Sequence, residues 1–298
     1  MMRLLYGRPP AIFDPPADTV QTSPLIPGST PLDTIAPGSA EAVTVYAPPG
    51  AVERRHTLAL ALRALRPGGR LDAMAPKDKG GGRLKGELAA FGVVGEDTPK
   101  AHHRRCIALR PEAVEGLEAA IAAGALQLVP GLDAWSQPGV FAWDRIDPGT
   151  ALLAGHLPPL KGRGADLGCG YGALSLVALR SPAVSELRLV DLDRRAIDAA
   201  RRNVEDPRAR FDWADARTLG TDGLDFIVTN PPFHDGGQED RRLGQGFVRA
   251  TAALLGKGGV LWLVANRHLP YEADLDAAFR RVRLVEEVGG YKVYEATK

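Results

Sequence analysis

The stretch Asp166-Leu167-Gly168-Cys169-Gly170-Tyr171-Gly172 decides the fold of this chain. It follows a predicted strand near 163–167 and opens a predicted helix. Glycines at alternate positions let the backbone turn sharply and leave no Cβ between the backbone and a ligand. A strand, a glycine loop and a helix in this order predict a ligand-binding turn in an α/β domain.

The spacing alone leaves more than one interpretation of this loop open. Gly168-x-Gly170-x-x-Ala173, with Asp191 about twenty residues further on, satisfies the dinucleotide fingerprint. The same residues fit the D-x-G-x-G-x-G loop of Rossmann-like methyltransferases, in which an acid precedes the glycines and no pyrophosphate is held. A purely structural strand–helix turn is the third interpretation.

Acidic residues at successive strand ends favour the second interpretation. Asp191 ends the second strand, where a carboxylate can accept both ribose hydroxyls, and Asp215 ends the third, where an acid can accept the amine of adenine. Asp193 is better interpreted as the N-cap of a helix that starts at Arg194. A dinucleotide fold does not require these acids together, whereas an S-adenosylmethionine pocket uses them, with Asp166 near the ammonium of the ligand. Each acid alone is equally well explained as a cap or an ion pair.

The chemistry is indicated by Asn230-Pro231-Pro232-Phe233, which follows a fourth predicted strand at 224–229. The two prolines remove two backbone donors and lock the turn. The amide oxygen of Asn230 and the carbonyl of Pro231 can then accept both hydrogens of a planar amino group, and a ring can stack on Phe233. Holding a weakly nucleophilic nitrogen in line with a sulfonium methyl supplies positioning. A structural Pro-Pro turn is the alternative.

Three segments carry a resemblance to a known family. They are Asn230-Pro231-Pro232-Phe233-His234-Asp235-Gly236, Val264-Ala265-Asn266-Arg267-His268-Leu269-Pro270-Tyr271 and Gly290-Tyr291-Lys292-Val293-Tyr294. They resemble the ribosomal RNA guanine-N2 methyltransferases, in particular the bacterial small-subunit enzymes of the RsmC type, over about 135–298. The segments 138–141 and 150–157 are similar to what precedes the glycine loop in that family. The resemblance implies a class I fold and methyl transfer from S-adenosylmethionine to the N2 amine of a guanosine in small-subunit rRNA, with S-adenosylhomocysteine as product.

The resemblance also implies functional residues. Those expected to hold the cofactor are Asp166, Gly168, Cys169, Gly170, Gly172, Asp191, Asp215 and Asn230, and those expected to hold the flipped guanine for catalysis are Asn230, Pro231, Pro232 and Phe233. No metal is expected. His234 and Asp235 match the family loop and can shape the turn before Gly236. His268 and Tyr271 follow the fifth strand and could line the site, although packing is favoured for Tyr271.

We expect an α/β chain in three parts. Residues 1–40 are a proline-rich lead, partly ordered or wrapped on the next domain, and do not fit the opening strands and helices of a methyltransferase-like domain. Residues 41–134 form a smaller, degenerate methyltransferase-like α/β domain that binds RNA and lacks both motifs. Residues 135–298 form a Rossmann-like class I methyltransferase domain that ends in an antiparallel hairpin at 282–288 and 291–296. Near its start, the sequence predicts a strand at 139–143 and a helix opened by Asp147-Pro148-Gly149-Thr150.

The overall charge excludes binding of nucleic acid or membrane by bulk charge alone, because 37 Lys and Arg face 36 Asp and Glu. The balance is uneven along the chain: residues 51–110 hold 13 basic and 6 acidic residues, and 111–150 hold 1 and 6. A basic face for RNA is therefore one interpretation, and mixed solvated faces are the other. Candidate phosphate contacts are Lys77, Lys79, Arg83, Lys85, Lys100, Arg104, Arg105, Arg241 and Arg242.

With two cysteines, no apolar run of membrane-helix length and no signal-peptide core, we expect a cytoplasmic monomer that contacts the small ribosomal subunit and no membrane. Other acceptors stay open, namely large-subunit guanine, a release-factor glutamine and adenine N6. Phe233 in place of Tyr and the downstream His-Asp-Gly favour guanine. A non-catalytic RNA-binding relative and an NAD-dependent dehydrogenase are the remaining alternatives.

Overall fold

The computed structural model describes residues 2–231, 234–235, 238–239 and 241–298, with side chains described for 2–231 and 244–298. The chain divides into two compact units. The first comprises the residues up to Leu126 together with Gln137–Gly139, and the second comprises Gln127–Ser136 together with Val140–Lys298. Each unit has its own main β-sheet. Within the described residues, no helix is long and apolar enough to cross a membrane.

The first unit contains a sheet of six strands. Its strands are β1 (Met2–Tyr6), β2 (Val20–Gln21), β3 (Ala40–Tyr46), β4 (Leu65–Pro76), β5 (Gly95–Lys100) and β6 (His103–Leu109), and its helices are α1 (Ala51–Ala64), α2 (Leu84–Ala89) and α3 (Leu117–Ala123). The strand order is β2-β1-β3-β4-β6-β5. The strands β1 to β4 pair in parallel, and β6 is antiparallel to both of its neighbours.

The start of the chain differs from the expectation of a loop-like lead. β1 pairs with both β2 and β3, so it lies inside the sheet rather than around it. Leu4 and Tyr6 point into the core and are 1 % and 8 % exposed. The strand escaped prediction because two inward side chains are too short a pattern to show a period of two. Its partner β3 begins at Ala40, far along the chain.

The second unit is organised around a sheet of seven strands. Its elements are β7 (Gln127–Val129), β8 (Ala134–Ser136), α4 (Pro148–His156), β9 (Gly162–Leu167), α5 (Ala173–Ala178), β10 (Val184–Asp191), α6 (Arg194–Asn203), β11 (Ala209–Trp213), β12 (Leu224–Thr229), β13 (His234–Asp235), β14 (Gln238–Glu239), α7 (Arg241–Leu254), β15 (Leu255–Asn266), α8 (Glu272–Ala278), β16 (Arg281–Val288) and β17 (Tyr291–Thr297). The order is β11-β10-β9-β12-β15-β17-β16, and β17 is the strand of this sheet that runs antiparallel to both of its neighbours, β15 and β16. The predicted doubly wound sheet closed by a hairpin is confirmed.

Helices cover both faces of this sheet. Alternating side chains send Val228 to one face and Ile227 to the other, and both are fully buried. On the first face lies a core that includes Leu153 of α4, together with residues of α5 and α6. The opposite core includes Val248 of α7 and Leu275 of α8. Because both faces are covered, a ligand reaches the parallel strands at their carboxyl ends.

The first sheet repeats the strand order of the second. β2-β1-β3-β4-β6-β5 corresponds to β10-β9-β12-β15-β17-β16, and β11 alone lacks a counterpart among the described strands. The antiparallel strand lies second from the edge in both sheets. This repetition supports the expected methyltransferase-like character of the first domain. By this correspondence, β3 is the counterpart of β12. In the sequence, β3 is followed by Ala47-Pro48-Pro49 and β12 by Asn230-Pro231-Pro232.

Candidate active site

The glycine loop joins β9 to α5 through residues with positive φ. Gly168, Gly170 and Gly172 have φ of +72°, +54° and +94°, a region that residues with a Cβ rarely adopt. The Gly168 amide donates to the Val190 carbonyl of β10 at 2.8 Å, which ties the start of the loop to the neighbouring strand. A Cβ on Gly170 would meet no described atom within 4 Å, so the backbone there is open to a ligand.

Asp166 lies in β9 directly before the loop and is fully buried. Its Oδ2 accepts a hydrogen bond from Ser175 Oγ at 2.6 Å, whereas its Oδ1 has no hydrogen-bond partner in the described part of the chain. Burial raises the pKa of Asp166 to about 7, although the Ser175 hydroxyl lowers it in part. A buried carboxylate oxygen without a donor fits an ammonium or N–H group of a ligand.

Asp191 ends β10 and lies half-buried beside the loop. Its Oδ2 accepts from the Gly170 amide at 2.9 Å, and its Oδ1 accepts from the Asp193 amide at 2.8 Å. Burial raises the pKa of Asp191 to about 6, and the Asp193 carboxylate adds to the rise. Because an ionised carboxylate has about four acceptor positions, two remain open in the described part of the chain, and contact with ribose hydroxyls stays a prediction. Asp193 is the N-cap of α6 and accepts from the Arg195 amide, which confirms its predicted role.

Asp215 has local partners of its own. It caps a 3-10 turn at Ala216–Thr218 by accepting from the Arg217 amide at 2.9 Å, and Arg217 Nη2 lies 2.7 Å from its Oδ2. The hydrogen bond from Arg217 lowers the pKa of Asp215. The cap and the ion pair are sufficient to explain an acid at this position, and contact with an adenine amine stays a prediction.

Asn230 directly follows β12, and its amide has partners on one side only. Nδ2 donates to Asp147 Oδ2 and to Thr150 Oγ1, both at 2.9 Å. Oδ1 is buried and has no hydrogen-bond partner among the described residues. The residue before it, Thr229 of β12, donates its hydroxyl to the carbonyl of Leu167 in the neighbouring strand β9 at 2.7 Å. This hydrogen bond holds the ends of β9 and β12 together. The site therefore presents an unpaired amide oxygen beside the glycine loop.

The segment Asp147-Pro148-Gly149-Thr150 contributes to this site. This contribution was not predicted from the sequence. Asp147 is the N-cap of α4 and Pro148 occupies its first turn, so the segment was visible only as a helix start. A Cβ on Gly149 would lie 2.7 Å from Cε1 of Tyr291, so a glycine there lets this ring pack on the helix start. No local signal shows that the helix start faces Asn230, because the two are more than eighty residues apart in sequence.

A cleft in the second unit brings the glycine loop and Asn230 together. Two aromatic residues at the cleft were not predicted: Phe141, which is 62 % exposed, and Tyr171, which is buried. The lining residues are Phe141, Ala142, Asp147, Thr150, Gly168, Cys169, Gly170, Tyr171, Ala173, Leu174 and Asn230.

The stretch at 139–143, expected to be a strand, is instead a pair of turns. The Trp143 amide donates to the Val140 carbonyl at 3.1 Å, and Ala142 has φ of +48°. The run of apolar residues predicted a strand because Val, Phe and Trp favour one. Turn hydrogen bonds satisfy the backbone instead and leave Phe141 at the rim of the cleft.

Several predicted residues cannot be placed in this cleft. Pro232 and Phe233, and the side chains of His234, Asp235, Arg241 and Arg242, lie outside the described residues. His268 is exposed and is not part of the cleft lining, whereas Tyr271 is 4 % exposed and belongs to the core, as favoured.

The corresponding turn of the first unit is filled by its own chain. Arg54 Nη1 donates to the carbonyls of Pro48 at 3.2 Å and Pro49 at 2.7 Å. Its Nε and Nη2 each donate to the Glu87 carboxylate at 2.7 Å, and the Arg54 side chain is 1 % exposed. Ala47 stands at the position of Asn230, so this turn also lacks the amide oxygen. The first unit therefore has no place at this turn for a planar amine.

The predicted phosphate contacts of the first unit fall into two groups. Arg104 pairs with Asp97, Arg105 pairs with Asp72, and Lys100 Nζ donates to the Ile12 carbonyl at 2.7 Å. These side chains have structural explanations. The exposed basic residues of the loop after β4 and of α2 are Lys77, Arg83 and Lys85.

Residues 131–295 match the family model described as the methyltransferase small domain. The chain belongs to this methyltransferase family. Membership favours the methyltransferase loop among the three interpretations of the glycine loop and removes the support for a dehydrogenase. It also confirms the class I fold that the resemblance implied.

Two relatives and a solved structure indicate which methyltransferases this protein resembles. It is 32% identical to the ribosomal RNA small subunit methyltransferase C of Pseudomonas aeruginosa, over 94% of this chain and 86% of the relative. It is 37% identical to the enzyme of that name from Shewanella loihica over 54% of this chain, but it spans only 47% of that relative. The match thus covers about half the length of the Shewanella relative.

The structural neighbour covers the whole methyltransferase chain. It is the T. thermophilus 16S rRNA N2 G1207 methyltransferase (RsmC), solved in complex with AdoMet and guanosine. The TM-score is 0.77 at 27% identity, and the match covers 100% of this chain and 88% of the other. The RsmC-type resemblance predicted from the motifs is thereby confirmed.

Proposed function

We propose that this protein transfers a methyl group from S-adenosylmethionine to the N2 amine of a guanosine in small-subunit ribosomal RNA. The observation that carries the proposal is the buried Oδ1 of Asn230, which has no hydrogen-bond partner among the described residues and lies in the same cleft as the open backbone of the glycine loop. The activities for which the P. aeruginosa and T. thermophilus relatives are named support the choice of RNA and of the guanine amine.

The residues present fit S-adenosylmethionine. The buried Oδ1 of Asp166 lacks a donor, which an ammonium group of the cofactor could provide directly or through water. Asp191 can accept ribose hydroxyls, and the backbone at Gly170 has room for a close approach. When bound, the cofactor supplies an electrophilic methyl group on a sulfonium.

The role of the protein in the reaction is to position and orient the acceptor. Asn230 Oδ1 and the Pro231 carbonyl would accept the two N–H groups of a guanine amine turned out of its stack. These contacts would aim the nitrogen lone pair at the methyl carbon, and transfer of the methyl group would form a C–N bond as the C–S bond breaks and a neutral thioether leaves. The proton becomes acidic only as the C–N bond forms and would then pass to solvent water, so no strong base is required before attack. Phe233 would stack on the base.

We further propose a division of labour along the chain. Residues 135–298 would hold cofactor and chemistry, while 41–134 would bind RNA and place the substrate. The filled turn around Arg54 supports this division, because the first unit offers no acceptor site there. The exposed Lys77, Arg83 and Lys85 would contact phosphates.

The proposal is tested with labelled S-adenosylmethionine and small ribosomal subunits purified from cells that lack the modification. We expect one guanosine of the 16S rRNA to become N2-methylguanosine when the labelled nucleotide is mapped by mass spectrometry, and we expect Asn230→Ala to leave only a slow residual rate at the same position. Large subunits, naked rRNA, release factors and adenine-containing DNA are parallel substrates. Label on a glutamine or an adenine would replace the guanine assignment. Tight cofactor binding without transfer to any of these substrates would favour a non-catalytic relative.

A further inference from the structure

The orientation of the Asn230 amide follows from the chemistry of its partners. A carboxylate accepts hydrogen bonds and does not donate them, so the amide atom that faces Asp147 Oδ2 at 2.9 Å is the NH2 group. The same group lies 2.9 Å from Thr150 Oγ1. Both amide hydrogens are thereby used, and the buried Oδ1 is left without a donor in the described part of the protein.

A free Asn230 side chain could instead turn its NH2 group toward the cleft. That orientation would present donors to the N–H groups of an incoming amine, and no hydrogen bond could form. An asparagine amide is nearly symmetrical in shape, so packing alone distinguishes the two orientations poorly. The orientation of the amide must therefore be determined by its hydrogen-bond partners, Asp147 and Thr150.

We infer that Asp147 and Thr150 are positioning residues, which fix the Asn230 amide with its oxygen toward the acceptor nitrogen. This inference rests on the proposed methyl transfer to a planar amine. Asp147 Oδ2 accepts from the Thr150 amide, as the cap of α4, and from Asn230 Nδ2, both at 2.9 Å. The start of α4 thus connects the helix cap to the acceptor site, and Tyr291 packs against it at Gly149.

Two substitutions separate orientation from folding. Thr150→Val removes one acceptor at nearly constant volume, and Asp147→Ser keeps an N-cap oxygen for α4 but is too short to reach Asn230. We expect each to lower kcat by about 10- to 100-fold, because misorientation of a positioned group costs on this scale. The Kd for S-adenosylmethionine, measured by calorimetry, should change by less than about threefold, and the guanosine KM should change less than kcat.

Matched variants provide the controls. Thr150→Ser keeps the hydroxyl and should restore kcat to within about threefold of the wild type. Thr34→Val removes an exposed hydroxyl that donates to the Pro31 carbonyl, far along the chain, and should leave kcat unchanged. In an Asn230→Ala background, Thr150→Val should cause no further loss, because the group it orients is absent.

An NMR measurement tests the inference without activity. The side-chain amide protons of Asn230, assigned by comparison with Asn230→Asp, should exchange slowly in the wild type and faster in Thr150→Val. If the wild type methylates no RNA, the proposed function fails, but the exchange data still report whether Thr150 restrains the amide. Normal kcat in both single variants, additive loss in the Asn230→Ala background, or unchanged exchange would each overturn the inference.

Discussion

Asp191 Oδ2 accepts a hydrogen bond from the Gly170 amide at 2.9 Å, which joins the end of β10 to the middle of the glycine loop. The loop is therefore shaped around a carboxylate. Asp166 directly precedes the loop, and its buried Oδ1 has no hydrogen-bond partner in the described part of the chain. Burial raises the pKa values of Asp166 to about 7 and of Asp191 to about 6, so both acids titrate near neutral pH before a ligand arrives.

Cofactor affinity should depend on pH in the range where these acids titrate. A cationic ligand is attracted to the ionised carboxylates, so the affinity for S-adenosylmethionine should fall as the pH drops through 7 and then 6. We expect a loss of more than about tenfold between pH 8 and pH 5.5, measured by calorimetry. Asp166→Asn should weaken binding at pH 8 and flatten the profile. Asp276→Asn, an exposed change on α8, should leave the profile as it is, and a flat wild-type profile would contradict the prediction.

The stability of the ligand-free protein should show the opposite dependence on pH. An acid with a raised pKa binds its proton more tightly in the folded state, so the Asp166 contribution falls as pH rises from about 4 to about 7. Asp166→Asn should raise the free energy of unfolding at pH 8 by up to about 4 kcal/mol relative to its effect at pH 4. Urea unfolding at both values measures this difference.

A second acid provides the control for that measurement. Hydrogen bonds from Arg208 lower the pKa of Asp206 to about 2, so its contribution is gained between about pH 2 and 4 and is constant above that range. Asp206→Asn should therefore change stability equally at pH 5 and pH 8. If Asp166→Asn also changes the free energy of unfolding equally at pH 5 and pH 8, the raised pKa assigned to Asp166 is wrong.

The glycines of the loop should respond differently to alanine. Gly170→Ala meets open space, so its cost is the backbone strain of φ +54°, about 1 kcal/mol, with a larger loss of cofactor affinity. Gly172→Ala adds a clash, because the new Cβ would lie 2.9 Å from Val204 Cγ2. Thermal unfolding should rank Gly172→Ala as the less stable of the two. Adding Val204→Ala should restore more thermal stability to Gly172→Ala than to Gly170→Ala. Equal gains in stability in the two variants would exclude the steric explanation.

The buried guanidinium of the first unit should be costly to remove. Arg54→Ala leaves the Glu87 carboxylate and the Pro48 and Pro49 carbonyls without their donor, so we expect a loss of about 3 to 5 kcal/mol in the free energy of unfolding. Chemical denaturation measures the loss. Arg70→Ala, at an exposed position of β4, should change stability by less than about 0.5 kcal/mol. After Arg54→Ala, the further change Glu87→Ala should cost little, and full additivity would show that the two do not act as a pair.

Local patterns were sufficient for much of the second unit. The glycine loop, the Asp193 cap and the hairpin turn at Gly289 and Gly290 each depend on residues that are neighbours in sequence. In such segments the physical cause, a positive φ or a capped helix start, lies within a few residues of its effect. The same kind of pattern misled at 139–143, where strand propensity was outweighed by turn hydrogen bonds.

By itself, the sequence determined which groups are present: a loop that only glycine can form, acids at strand ends and a turn with an asparagine before two prolines. The tertiary structure alone decided which of these groups meet. Asn230 faces Asp147, and Arg54 fills the turn of the first unit. Both contacts depend on the order of the parallel strands, because that order determines which strand ends are neighbours. That order is set by long-range pairing and core packing, which leave no trace in a short window of sequence. The lack of a hydrogen-bond partner for Asn230 Oδ1 among the described residues is therefore a property of the fold.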